Sequence, residues 1–161
     1  MFTFSHMATL ATAVKTYFDH TAEVYVEVTG ETDPVLPFIN PMAGQMKARD
    51  KSKVWHDIPA ELQLPSLLDV LLQTPGAVPS ELASGPREQL YLALRDVLSG
   101  PLSSLCVVSP FATFVEGKPD PKQPRLTRRG TPQYQIALRR PRDPKADEAR
   151  KARLDRYFSR A

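Results

Sequence analysis

Apolar and polar positions alternate in two distinct rhythms along this chain. Leu10, Val14, Tyr17 and Phe18 fall at i, i+4, i+7 and i+8, the spacing of one helical face. Val24, Val26 and Val28 then alternate with Glu23, Tyr25 and Glu27, the period-two pattern that predicts a half-buried strand. Gly30 to Pro41 carries Gly, Asp and three prolines and reads as a loop. The apolar cluster Leu62, Leu64, Leu67, Leu68, Val70, Leu71 and Leu72 predicts a strongly apolar short helix, for the core, an oligomer interface or both, with Pro65 in its first turn and Pro75, Gly76 and Pro79 ending it. A second helix opens at Pro86, lines one face with Leu90, Leu94, Val97 and Leu98, and stops at Gly100-Pro101. Leu105 to Val115 is rich in β-branched and aromatic residues, with Pro110 marking an edge or a bulge. Tyr134, Ile136 and Leu138 alternate with Gln133, Gln135, Ala137 and Arg139 and form the returning strand of a hairpin spanning about 105–140. The intervening loop, Gly117 to Pro132, is long and rich in Pro and basic residues. Asp143-Pro144 supplies an N-cap and a first-position proline for a terminal helix to about Phe158.

These elements predict an α+β class: a small antiparallel sheet with a long-looped hairpin, central helices and a basic C-terminal helix. The expected division is one α+β domain over 1–142 and a basic helix or tail over 143–161. No internal repeat is visible, and the layout leaves room for a new fold. Ser5-His6-Met7 resembles a cloning-site remnant, which would make Met7 the native start and set the first residues outside the fold.

Composition sharpens this picture at two points. Proline accounts for 16 of 161 residues, about twice its usual share, and the Pro-free intervals 1–33, 42–58, 87–100 and 145–161 mark where regular structure can run. A single cysteine excludes an internal disulfide. With no apolar run near the roughly 20 residues a bilayer demands, and no secretory signal pattern, the features point to a reducing cytoplasm and to no membrane partner.

Charge changes the picture more. The formal net charge of +3 divides into −6 over residues 1–117 and +9 over 118–161. Such asymmetry points to a polyanion partner. Lys118, Lys122, Arg125, Arg128 and Arg129 lie in the long hairpin loop, and Arg139, Arg140 and Arg142 follow the returning strand. Phe111, Phe114 and Tyr134 are interleaved with them. A basic, ring-bearing hairpin suits single-stranded nucleic acid, because phosphates track the cations while bases stack on rings. The alternative for these rings is an inward, core role. A second cluster, Lys47, Arg49, Lys51 and Lys53, leads into Trp55, the only tryptophan; here too the ring either stacks on a base or anchors the loop in the core. In the terminal helix, Leu154, Tyr157 and Phe158 form a small apolar patch among basic residues.

Motifs for catalysis are sparse. His6, His20 and His56 share no metal-type spacing, Cys106 sits in a buried-strand context, and no phosphate-binding or nucleophile-elbow glycine pattern occurs. Glu116-Gly117-Lys118 resembles the second half of the motif of the PD-(D/E)xK nucleases, which implies Mg²⁺ held by carboxylates, but no Pro-Asp precedes it. The size, the sheet-forming segments and the basic stretch from Lys118 to Arg160 resemble small bacteriophage single-stranded DNA-binding and transcription-accessory proteins. The resulting expectation is a non-catalytic, homo-oligomeric protein that binds single strands, DNA preferred, with no cofactor and no metal. A protein-interaction adaptor with a basic tail is the alternative, and a Mg²⁺-dependent nuclease using Glu116 and Lys118 comes third.

Overall fold

The computed structural model describes residues 1–115 and 117–139; of 112–115 and 119–124 it describes the backbone alone. The chain is α+β, as its pattern predicts. Among the described residues four α-helices run α1 (Phe4–Thr29), α2 (Leu67–Gln73), α3 (Ser80–Ala83) and α4 (Arg87–Ser99). Six strands, β1 (Lys47–Arg49), β2 (Trp55–Asp57), β3 (Cys106–Pro110), β4 (Ala112–Val115), β5 (Lys118–Pro124) and β6 (Tyr134–Leu138), form three two-stranded antiparallel ladders, β1–β2, β3–β6 and β4–β5.

The first rhythm change in the sequence is not a change of element. Val24, Val26 and Val28, expected as a strand, continue α1 to Thr29. The buried residues Leu10, Val14, Tyr17, Phe18, Thr21, Val24 and Tyr25 keep one helical stripe throughout. Extending an existing helix needs no new nucleus, which outweighs the weak helix preference of valine. Gly30 ends the helix at φ 75°, donating its N–H to Val26 O in a left-handed cap that costs glycine little. At the other end, Thr3 and His6 form a reciprocal capping box. Residues expected to lie outside the fold therefore start α1.

The leucine-rich segment also divides. Pro65 precedes α2 rather than opening it: Ala60–Leu62 is a 3₁₀ turn, and Ser66 caps α2 through Asp69 N. Ser66 Oγ also accepts from Arg87 Nη2 at 2.7 Å, while Arg87 Nη1 lies 2.6 Å from Asp69 Oδ1, so one arginine ties α4 to the start of α2. α4 begins after Pro86 and runs to Ser99, as predicted.

β3 pairs with β6 from Cys106↔Leu138 to Pro110↔Tyr134. Ile39 exchanges backbone hydrogen bonds with Ile136 on the other side of β6, at 2.9 and 2.8 Å. The loop expected between the hairpin strands is itself a hairpin: β4 and β5 pair around Gly117, whose φ is 78°. Proline can occupy β5 because an edge strand leaves N–H positions unused.

Among the described residues two apolar clusters hold these parts. Leu10, Val14 and Phe18 of α1 pack with Leu67, Leu68 and Leu71 of α2, Leu90 and Leu94 of α4, and Cys106 and Ile136 of the sheet. Val24, Tyr25, Ala48, Ile58 and Leu64 form the smaller cluster, and Leu36 packs against both. Each fully buried leucine contributes about 1.5–3 kcal/mol by leaving water. The expected terminal helix, with Leu154, Tyr157 and Phe158, lies outside the described residues, as does the proposed boundary at 142.

Candidate nucleic-acid interface

The β1–β2 ladder sits on the last third of α1 because Ala48 is buried against Val24 and Tyr25. Cross-strand partners share a face. With Ala48 turned inward, the register Lys47↔Asp57 and Arg49↔Trp55 places those four residues on the other face. Trp55 is 50% exposed. It is a surface ring, not a core anchor. The Arg49 guanidinium carbon lies 5.7 Å from the ring centroid, a cation–π geometry. Arg49 Nε is buried and finds no acceptor among the described residues. No carboxylate among these residues pairs with Arg49, Lys51 or Lys53, whereas Lys47 Nζ lies 3.9 Å from Asp57.

The tip joining the two strands is built tightly. The Asp50 carboxylate accepts from Val54 N at 2.9 Å and lies 2.7 Å from His56 Nε2. Those two contacts, His56 first, hold the Asp50 carboxyl below its ordinary pKa. Lys53 adopts φ 67°, a left-handed conformation that costs a non-glycine residue about 1–2 kcal/mol. Lys51 N donates to both Glu31 carboxylate oxygens, at 2.9 and 3.1 Å, just past the end of α1. The Lys51 and Lys53 side chains stay in solvent.

A second ring–guanidinium pair lies where β3 passes into β4. Phe111 N donates to Gln133 O at 2.9 Å, Gln133 N donates to Arg125 O at 2.7 Å, and Arg125 N donates to Phe111 O. Three segments are thereby knotted together. The Arg125 guanidinium carbon stands 5.5 Å from the centroid of the half-buried Phe111 ring. The adjoining turn is clamped by α4: Thr127 Oγ1 and Thr131 Oγ1 donate to the two oxygens of Glu88 at 2.7 and 3.0 Å. Arg128 and Arg129 are exposed on that turn, and Lys118 is exposed at the start of β5.

The structure does not collect all the expected residues. Tyr134 is only 2% exposed, so its ring is not a stacking surface for a ligand. It lies on Tyr91 at 4.2 Å and 11°. Its hydroxyl donates to Tyr91 O, and the Tyr91 hydroxyl donates to Tyr134 O at 2.8 Å. Tyr134 and Ile136 occupy the inward positions of β6, so the same alternation that identified the strand puts this ring in the core. Burial raises the pKa of both phenols. Arg139 is exposed at the opposite end of the β3–β6 ladder from Phe111, about 15 Å away for a five-residue strand. Its Nε donates to Ser103 O at 3.0 Å. Arg140, Arg142 and Glu116 lie outside the described residues, as do the side chains of Phe114 and Lys122.

Sequence reasoning missed Lys15, which α1 brings to the same groove as Arg139. Its position 124 residues earlier, in an acidic half of the chain, gave no signal. It also missed Glu88, whose role depends on a turn far along the chain. Among the described residues no group of three His, Cys, Asp or Glu could hold a metal ion, and no helix is long and apolar enough to cross a membrane. Comparison with family models, with curated proteins and with solved structures returned no match.

Proposed function

We propose that this protein binds single-stranded nucleic acid, DNA in preference to RNA, without catalysing a reaction on it. The observation that carries the reading is the pair of rings, the exposed Trp55 and the half-buried Phe111, each with a guanidinium over it and further cations in the adjoining turn. A ring that retains accessible area beside fixed cations matches how unpaired strands are held: bases stack, and phosphates follow the positive groups. Duplex DNA offers no free base faces, so a site built on rings favours single strands. Arginine rather than lysine at both rings suits this role, because its planar head stacks on bases as well as rings.

The experiment is a gel-shift titration of single-stranded DNA, single-stranded RNA and duplex DNA at several salt concentrations. Single-stranded DNA should bind most tightly. If Lys47, Arg49, Lys51, Lys53, Arg125, Arg128 and Arg129 all neutralise phosphates, log affinity should fall against log salt with a slope of about −5. No binding at low salt, or equal binding of duplex, would overturn the proposal. In that event, capture of acidic protein segments by the same cations becomes the reading to test.

A further inference from the structure

A third basic feature stands apart from both rings and has the shape of a small-molecule site. A groove of about 620 Å³ opens between α1 and the turn that follows α4, within the range of volumes that hold small ligands. Ala11, Leu102 and Leu105 supply its apolar lining, and Lys15, Arg139 and the hydroxyl-bearing Ser103 and Ser104 supply its polar lining. Among the described residues no carboxylate lines it. Asp19, one turn beyond Lys15 on α1, lines the neighbouring groove instead.

The two cations reach this place from elements that the fold brings together, α1 and the end of β6. Neither forms an ion pair among the described residues. Arg139 is also held: its Nε donates to Ser103 O at 3.0 Å, which orients the guanidinium, and among the described residues its terminal nitrogens have no hydrogen-bond partner. A fixed guanidinium fork matches two oxygens of a phosphate, and a lysine adds a mobile point charge. Two such charges beside an apolar lining suit a phosphate on an apolar or planar body.

We infer that this groove binds a phosphate monoester carried on a nucleoside. The shared chemistry has two sources, a free mononucleotide or the 5′-terminal phosphate of a nucleic-acid strand. The second source rests on the single-strand reading above, and the first does not.

Isothermal titration with AMP and with adenosine tests the site. AMP should bind and adenosine should not. Lys15→Ala, an exposed substitution, should weaken AMP binding at least fivefold. Arg139→Lys, which keeps the charge and loses the fork, should also weaken it. Equal heats from AMP and adenosine, or AMP affinity within twofold after Lys15→Ala, would overturn the site. A 5′-phosphorylated and a 5′-hydroxyl thymidine oligonucleotide then separate the sources. A preference for the phosphorylated strand that Lys15→Ala abolishes assigns the strand terminus. Equal affinity of the two strands, with AMP binding retained, assigns the free nucleotide. If no oligonucleotide binds but AMP does, the single-strand reading fails and this site stands.

Discussion

Trp55 and Tyr134 are both aromatic strand residues near arginines, yet they belong to different parts of the molecule. Trp55 is half exposed and Tyr134 is in the core. Substituting Trp55 by Ala should therefore weaken single-strand binding by about 1–3 kcal/mol, the usual worth of one stacked base, while the urea midpoint moves little. A large fall in the midpoint with unchanged binding would return Trp55 to a structural role. Tyr134→Phe should do the reverse. Removing its hydroxyl leaves the buried Tyr91 carbonyl without that donor, at a cost of about 1–3 kcal/mol, read from denaturant unfolding, with binding unaltered in the folded protein. Cys106 offers a further residue-scale check. Burial pushes its thiol up to about 11, so at pH 8 a thiol reagent should label it only as fast as the protein opens. Rapid labelling would mean the β3 edge is more accessible than its packing indicates.

At the scale of elements, the β1–β2 hairpin is short, and its tip is organised by one carboxylate. Asp50 is held below its ordinary pKa by His56 and by Val54 N. A depressed folded pKa means that the stabilisation is present above the unfolded value and is lost as pH falls through the folded value. The hairpin should therefore loosen below about pH 4, where an unperturbed Asp begins to protonate. Trp55, the only tryptophan, reports this through its emission. In Asp50→Asn the emission step below pH 4 should be absent. Persistence of that step in the variant would assign the transition to another group. The predicted loop between Gly117 and Pro132 illustrates what composition conceals at this scale. Three prolines in β5 argue against a central strand, but they do not argue against an edge, and Gly117 supplies the positive φ that the turn requires.

For the whole molecule, the charge division separates into places rather than a single patch. Within the described residues, one cationic group stands at the end of α1, one beside the first turn of α4, and one between α1 and the end of β6. A strand engaging more than one of them gains by effective concentration. The basic segment from Arg140 to Arg160 contributes eight of the chain's 21 Lys and Arg residues. Deleting 140–161 should therefore lower single-strand affinity and flatten the salt slope, with Trp55→Ala still additive in the shortened chain. An unchanged slope would place the whole phosphate contact within residues 1–139.

The α+β class, the course of α4, the β3–β6 pairing and the two basic clusters were all legible in the chain before any packing was known. Each of these rests on local spacing: apolar positions at 3.6 or 2 residues, glycine and proline at element ends, and charges close together in the chain. Tertiary structure decided the rest. Val24 to Val28 has the alternation of a strand, but a growing helix and the partners Ala48, Ile58 and Leu64 make it the end of α1. Whether an aromatic residue faces solvent or core depends on what packs behind its strand, which no local pattern contains. Lys15 and Arg139 line one groove only because the 26-residue α1 shares an apolar core with the β3–β6 ladder, and the placement of residues so far apart in sequence is set by the packing of whole elements.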